Sequence, residues 1–246
     1  MVDWDRGSYE ETGEELMPAA EHVVERAAIE QGHEVLDLGT GTGNAALLAA
    51  RAGARVTAVD PSPRLLEVAR QRVGQGEFVV AKAEDLPFED RSFDRVISIF
   101  AVIFSQEPDR AAREILRVTR GRALITAWEP VGLVNDAFGI LGRATSEASQ
   151  TPHRRFEWGD PDNVRGLFGE VGVERASIDF EAPSAEAFMQ RFESRHPAGM
   201  LFKDVLTRAG SYDDVREQAK AALGDGEPLR LSSSYFIFTV EPRAAG

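Results

Sequence analysis

Residues 35–44 read VLDLGTGTGN, a short apolar run that contains one acid, Asp37, and is followed by glycines at positions 39, 41 and 43. The apolar run predicts a buried strand, and the alanine-rich residues 45–52 predict a helix after it. Glycines at such a junction allow a tight turn and a close approach to a ligand, with backbone amides pointing outward at the amino end of the helix. The stretch therefore predicts a strand, a ligand-binding turn and a helix.

The same alternation continues along the chain. Strands are predicted at residues 55–59, 78–81, 94–99 and 122–128, with helices at 10–30, 62–73 and 109–120. Strands that alternate with helices indicate a parallel sheet covered on both faces. After residue 128 we predict a weakly helical stretch at 132–155, a helix at 160–170, a strand at 173–180, about three helices within 183–223 and a last strand at 231–240. This order predicts a helical cap inserted before the final strand.

The length of 246 residues suits one large domain. We predict a single domain with four segments, which are an N-terminal helical segment (1–31), a ligand-binding core (32–130), a helical cap that contains the late strand (131–228) and the final strand with its tail (229–246).

Composition limits the partners and the chemistry. Lys and Arg total 28 against 41 Asp and Glu, a net charge of -13, which disfavours nucleic acid and anionic membrane surfaces as partners. The chain lacks an apolar run of the roughly 18 residues that a membrane span needs, and its acidic start is unlike a secretion signal, so we expect a cytoplasmic protein. With no cysteine, disulfides, thiolate metal sites and a cysteine nucleophile are excluded. The sequence is compatible with a homodimer.

Two kinds of ligand suit the glycine turn. Residues 41–46 spell G-x-G-x-x-A, a permitted form of the dinucleotide fingerprint, and Asp60 lies near the distance expected for its acid. Asp37, however, lies two residues before Gly39, where a carboxylate would repel a pyrophosphate and favour a cationic ligand. The alternative for Asp37 is an ordinary surface or capping aspartate.

Four segments resemble the classical S-adenosylmethionine-dependent methyltransferases. They are LDLGTGTGN (36–44), VTAVDPSPRLLEVAR (56–70), AEDLPFEDRSFDRVIS (83–98) and REILRVTRGRALI (113–125), and the third is similar above all to methyltransferases related to ubiquinone and menaquinone biosynthesis. The resemblance covers about residues 36–128. It implies a Rossmann-like, doubly wound sheet of seven strands whose last strand is antiparallel. It also implies S-adenosylmethionine as methyl donor, S-adenosylhomocysteine as product, and no metal.

The resemblance implies a set of residues that bind the cofactor, namely Asp37, Gly39, Thr40, Gly41, Thr42, Gly43, Asp60, Pro61, Lys82, Ala83, Glu84 and Ile99. Asp60 would accept hydrogen bonds from both ribose hydroxyls, which matches two carboxylate oxygens, and the alternative for Asp60 is a helix N-cap. Many relatives have Asp or Asn where this chain has Lys82, and lysine has no acceptor for the adenine amino group. The Ala83 amide remains available, and Glu84 or Asp85 are alternative acceptors.

The acceptor site is less well marked. Candidate walls are Phe104, Trp128, Trp158 and Met189, together with Phe156, Phe192, Met200 and Phe202, and for each the alternative is core packing. Phe104 and Trp128 follow predicted strand ends, where open parallel sheets bind ligands. Residues 98–101 read SIFA, which lacks the Asn or Asp, Pro, Pro, aromatic signature of adenine and amide N-methyltransferases.

No catalytic base is assigned. His153 and His196 fall in the predicted cap and could accept a proton, whereas His22 and His33 are expected to be structural or exposed. We therefore predict in-line methyl transfer to a small, apolar or aromatic acceptor. The alternatives are an NAD(P)-dependent oxidoreductase and a non-catalytic homologue that binds the cofactor.

Overall fold

A computed structural model describes residues 2–150 and 156–242. Its helices are α1 (Tyr9–Glu15), α2 (Met17–Ala27), α3 (Asn44–Arg51), α4 (Pro63–Val73), α5 (Pro108–Val118), α6 (Leu133–Ser149), α7 (Pro161–Phe168), α8 (Ala185–Arg195), α9 (Pro197–Ala209) and α10 (Tyr212–Ala222). Its strands are β1 (Glu34–Leu38), β2 (Arg55–Asp60), β3 (Glu77–Val80), β4 (Phe93–Ser98), β5 (Thr119–Trp128), β6 (Gly172–Ala182) and β7 (Leu229–Val240).

The strands form one seven-stranded sheet in the order β3-β2-β1-β4-β5-β7-β6. Strands β1 to β5 pair in parallel, and β7 runs antiparallel to β5. The predicted sheet, including its antiparallel last strand, is thus confirmed. The strand order reverses between β1 and β4, and in open α/β sheets a ligand binds at the carboxyl ends of the strands beside such a reversal.

The helices differ from the predictions in three places. The single helix predicted at 10–30 is wrong, because the chain forms α1 and α2 with a break at Leu16, and Pro18 stands in the first turn of α2, where its missing N–H is harmless. The stretch predicted as weakly helical contains the regular 17-residue helix α6. Helix α5 ends at Val118, because the chain enters β5 at Thr119. Within the described residues, no helix is both long and apolar enough to cross a membrane.

The chain divides into two compact units. The sheet unit contains residues 16–128, 156–176 and 235–242, and the helical unit contains residues 2–15, 129–150 and 177–234. The core of the sheet unit is built mainly from inward-facing strand residues such as Leu36, Val96 and Phe238. The helical unit has a hydrophobic core of its own, which includes Leu141 and Leu206. Each unit combines three separate stretches of the chain, so the units do not correspond to the four consecutive segments predicted from the sequence. Those segment boundaries stay a prediction.

Candidate functional site

Asp37 is buried at the carboxyl end of β1, with 2% of its surface exposed. Its Oδ2 accepts hydrogen bonds from Thr40 Oγ1 at 2.7 Å and from the Ala46 amide at 2.8 Å. Burial raises the pKa of Asp37 to about 6, the two hydrogen bonds oppose this rise, and the negative charge of Asp60 adds to it. A cation bound beside this carboxyl would therefore favour its charged form.

The glycine loop, residues 39–43, uses most of its amides internally. The amides of Gly39 and Thr40 donate to the Val59 carbonyl at 2.7 and 2.9 Å, and the Gly43 amide donates to the Thr40 carbonyl at 2.8 Å. The Gly41 amide donates to Asp60 Oδ2 at 2.9 Å. Four of the five loop amides are thus paired within the protein, so the expectation that they point outward to a ligand is wrong for these four. A pyrophosphate, which binds through such amides, would find few donors here.

The glycines are required by the protein's own packing. At Gly39 the backbone has φ 71°, and an added Cβ would lie 2.2 Å from Ala101 Cβ in the turn after β4. At Gly43, with φ 85°, an added Cβ would lie 3.0 Å from Ala69 Cβ in α4. Positive φ already favours glycine, and the lack of space at these two positions reinforces the preference. The loop is therefore held between the β4 turn and α4.

Asp60 ends β2 with 5% of its surface exposed. Its Oδ1 accepts the Ser62 amide at 2.9 Å, while Oδ2 accepts the amide of Gly41. The N-cap of α4 is Ser62, whose Oγ accepts the Leu65 amide at 3.1 Å, so the alternative in which Asp60 is the cap is wrong. The binding of Asp60 to the ribose stays a prediction. Pro61, next in the chain, is exposed.

The turn after β3 lies beside Asp60, since the Ala81 amide approaches the Asp60 carbonyl at 3.4 Å. Lys82 is exposed there, and Ala83 packs against the core of the sheet unit. Glu84 Oε1 accepts hydrogen bonds from Ser105 Oγ at 2.6 Å and from the Gln106 amide at 2.9 Å. Glu84 therefore ties this turn to the segment before α5, a structural role that its sequence position did not indicate. The predicted binding of Glu84 to adenine is untested, and so is the predicted cofactor binding by Lys82 and Ala83.

Phe100 is a residue of the candidate site that sequence reasoning missed. It follows β4 with φ 51°, and its amide donates to Thr126 Oγ1 at 2.9 Å. Its ring stacks on Trp128 with centroids 3.8 Å apart and planes 2° from parallel, while Tyr235 contacts it edge-on at 5.3 Å. A bulky residue at positive φ is strained by roughly 1 to 2 kcal/mol, and such strain is concentrated at functional sites. No sequence pattern reveals a backbone angle; only its position after a strand end could have drawn attention to Phe100.

The remaining candidates fall partly in the sheet unit and partly in the helical unit. Ile99, predicted to bind the cofactor, and Phe104, predicted to line the acceptor site, are partly buried after β4, with Phe104 at the end of a short 3₁₀ turn. Trp158 is 3% exposed in the core of the sheet unit, and Met189 is fully buried in the core of the helical unit. Phe156 packs against the core of the sheet unit, and Phe192, Met200 and Phe202 belong to the helical unit. Core packing accounts for Trp158 and Met189, and their role in acceptor binding stays a prediction.

The described histidines each have partners close at hand in their own unit. His153 lies outside the described residues. His196 Nδ1 accepts the Ala198 amide at 3.1 Å and caps α9, and burial lowers the pKa of His196 to about 4, so it is neutral at physiological pH. His33 Nδ1 accepts a hydrogen bond from the Glu30 amide, which is a structural role.

His22 takes part in a chain of polar contacts within the sheet unit. Its Nε2 lies 3.0 Å from Glu174 Oε1, and its Nδ1 lies 3.4 Å from the Tyr235 hydroxyl. When Nε2 carries the proton and donates to Glu174, Nδ1 is left to accept from Tyr235. These residues are far apart in sequence, so no local pattern could have connected them.

The chain is similar to several known proteins. A family model described as a methyltransferase domain matches residues 36–126. An uncharacterised protein of Mycobacterium tuberculosis is 33% identical over 257 aligned positions, which cover 98% of this chain and 93% of the relative. A demethylmenaquinone methyltransferase of Clavibacter sepedonicus is 39% identical over 122 residues, 47% of this chain and 50% of that protein. The solved structure of a candidate methyltransferase from Bacillus halodurans has the same fold, with a TM-score of 0.63 at 21% identity, covering 92% of this chain and 99% of that one.

Proposed function

The chain belongs to the S-adenosylmethionine-dependent methyltransferases, and on this premise we propose that it methylates a small, apolar or aromatic acceptor. Its membership of this family overturns the oxidoreductase alternative. The enzyme class and the general reaction, methyl transfer, follow from the family. The acceptor and the roles of individual residues are the proposed part.

The charges at the loop support S-adenosylmethionine as its ligand. Two buried carboxylates, Asp37 and Asp60, flank a loop with few free amides, which suits a cationic ligand that carries two neighbouring hydroxyls and disfavours a pyrophosphate. Asp37 would face the ammonium group, Asp60 the ribose, and Thr42 with Gly43 the methionine chain. When bound, S-adenosylmethionine supplies a methyl group that its sulfonium has already activated.

The protein's own contribution is then alignment and the exclusion of water. The observation that carries the proposed acceptor class is the aromatic group formed by Phe100, Trp128 and Tyr235 at the carboxyl ends of β4 and β5. Trp128 is only partly buried, so its indole offers apolar surface next to the strand ends. A partly exposed indole that packs on two buried aromatic rings suits a flat, apolar acceptor. We therefore propose a planar aromatic or conjugated small molecule.

The acceptor proposal is tested with matched pairs of acceptors. Release of S-adenosylhomocysteine is measured with phenols or hydroquinones and with saturated alcohols of equal size, in wild-type protein and in the Trp128→Leu variant. We expect turnover of the aromatic acceptors only, and a loss of about tenfold or more in Trp128→Leu with unchanged affinity for S-adenosylhomocysteine. Equal turnover of the saturated alcohols would contradict the acceptor class. Cofactor binding without turnover of any acceptor would favour the non-catalytic alternative.

A further inference from the structure

Arg72, in the last turn of α4, donates hydrogen bonds to the glycine loop and to the residue that follows it. Its Nη1 donates to the Thr42 carbonyl at 2.5 Å and to Asn44 Oδ1 at 3.0 Å, and the side chain is partly buried. Hydrogen bonds from a guanidinium are stronger than those between neutral groups. Arg72 thus fixes the half of the loop that leads into α3.

Helix α4 fits closely against that half of the loop. The position of a Cβ at Gly43 would be 3.0 Å from Ala69 Cβ and 3.3 Å from Val73 Cγ2, so a side chain there would fit only tightly against the helix. Arg72 lies between these two residues in the helix sequence. The last two turns of α4 therefore contact the loop both through an apolar surface and through a charged hydrogen-bond donor.

The opposite end of α4 is attached to Asp60. Ser62, the N-cap of this helix, donates its amide to Asp60 Oδ1 at 2.9 Å. One helix thus joins the two halves of the candidate cofactor site. Its first residues hold Asp60, which we assign to the ribose, and Arg72 holds the segment from Thr42 to Asn44.

The segment held by Arg72 is linked in turn to Asp37. The amide of Ala46, two residues after Asn44 in the first turn of α3, donates to Asp37 Oδ2 at 2.8 Å. A displacement at Thr42 or Asn44 would therefore shift the first turn of α3 and the carboxyl assigned to the ammonium group. The same displacement would leave the Asp60 side of the loop attached through the Gly41 amide.

We propose that Arg72 is a positioning residue, which orders the loop for the amino-acid part of the cofactor and has little effect on the adenosine part. This inference rests on the proposed function, because it takes the ligand to be an adenosyl amino acid. It predicts a difference between two ligands that share the adenosine group, and a merely structural residue would weaken both equally.

The test is calorimetric titration with S-adenosylhomocysteine and with 5′-methylthioadenosine, which lacks the amino-acid part. In Arg72→Met, we expect about tenfold weaker binding of S-adenosylhomocysteine, the scale of lost charged hydrogen bonds, and less than about twofold weaker binding of methylthioadenosine. Arg72→Lys retains a charged donor and should recover part of the loss. The control is Arg70→Met, which removes an exposed charge from the same helix and should leave both affinities unchanged.

Equal weakening of both ligands in Arg72→Met, or unchanged binding of S-adenosylhomocysteine, would overturn the inference. If Arg72→Met fails to fold, the same comparison is made with Arg72→Gln, which removes the charge, and unchanged binding of S-adenosylhomocysteine in that variant would overturn the inference. Failure of the wild-type protein to bind either ligand would contradict the proposed function itself, and with it this inference.

Discussion

The amide of Gly41 donates to Asp60 Oδ2 at 2.9 Å, so the acid at the end of β2 holds the middle of the loop that follows β1. The same carboxylate accepts the Ser62 amide through Oδ1. Asp60 therefore orders the loop, in addition to the ribose-binding role that we propose for it. A substitution that removes the carboxylate should affect both roles, whereas one that keeps an acceptor oxygen should separate them.

Asp60→Ala should weaken binding of S-adenosylhomocysteine by about 2 to 3 kcal/mol, the scale of losing charge-assisted hydrogen bonds. Asp60→Asn keeps one acceptor oxygen and should lose less. Isothermal titration calorimetry measures both, with Asp179→Asn, an exposed carboxylate on β6, as the control. If Asp60→Ala binds as tightly as wild type, the ribose is bound elsewhere.

Asp37 should link cofactor binding to pH. Its pKa of about 6 lies above the ordinary value of 3.8, because burial penalises the charge. A bound ammonium group favours the charged carboxylate, so binding of S-adenosylhomocysteine at pH 6 should release up to about half a proton, and affinity should rise from pH 5 to pH 7. Calorimetry in two buffers of different ionisation enthalpy measures the released proton. Asp37→Asn should abolish the release, and equal binding heats in both buffers for wild type would contradict the prediction.

The same pKa has a consequence for the stability of the unliganded protein. Since the folded state holds the Asp37 proton more tightly than the unfolded chain does, its contribution to the free energy of unfolding is full below about pH 4 and declines as pH rises through about 6. In Asp37→Asn this part of the pH dependence should be missing. Denaturant unfolding between pH 4 and pH 7 compares the two proteins, and identical slopes would show that Asp37 does not titrate in this range.

Gly39→Ala should destabilise the protein by about 2 to 4 kcal/mol, because the new Cβ meets Ala101 Cβ at 2.2 Å and the backbone has positive φ. The double variant Gly39→Ala with Ala101→Gly removes the collision and retains the backbone strain. It should therefore recover part of the lost stability, which denaturant unfolding measures. A double variant no more stable than Gly39→Ala alone would show that the collision is not the cause.

Phe100 offers a test of the strained turn. Truncation to alanine removes the stack on Trp128 and keeps a Cβ at φ 51°, whereas truncation to glycine removes the stack and relieves the strain. We expect Phe100→Gly to be more stable than Phe100→Ala by about 1 kcal/mol, the reverse of the usual order. Urea unfolding of both variants measures the difference. A more stable alanine variant would mean that the turn relaxes to negative φ once the ring is gone.

The sheet was predictable from the sequence because local patterns determine it. The apolar run of β1 and the glycines after it indicate a strand, a turn and a helix, and the same pattern recurs at β2. The acids Asp37 and Asp60 were also predictable, since Asp37 lies one residue before the end of such a run and Asp60 ends the next one. The break at Leu16 was missed because apolar residues keep helical spacing across it.

The contacts of the site could not be predicted in the same way. Two examples are the left-handed backbone of Phe100 and the hydrogen bond from Arg72 to Thr42. Both depend on how distant segments pack, and neither can be predicted from the residue type. The amides of the glycine loop were expected to face a ligand because a glycine-rich turn before a helix often binds phosphate. Their use by Val59, Thr40 and Asp60 emerges only when the neighbouring strand is in place.

The most direct test of the account compares the two ligands between which the loop must discriminate. Calorimetric titration of the wild-type protein with S-adenosylhomocysteine and with NADH, under the same conditions, should show saturable one-site binding of the first and no measurable binding of the second. Tight binding of NADH without binding of S-adenosylhomocysteine would contradict the assignment of Asp37 and Asp60 to an adenosyl amino acid.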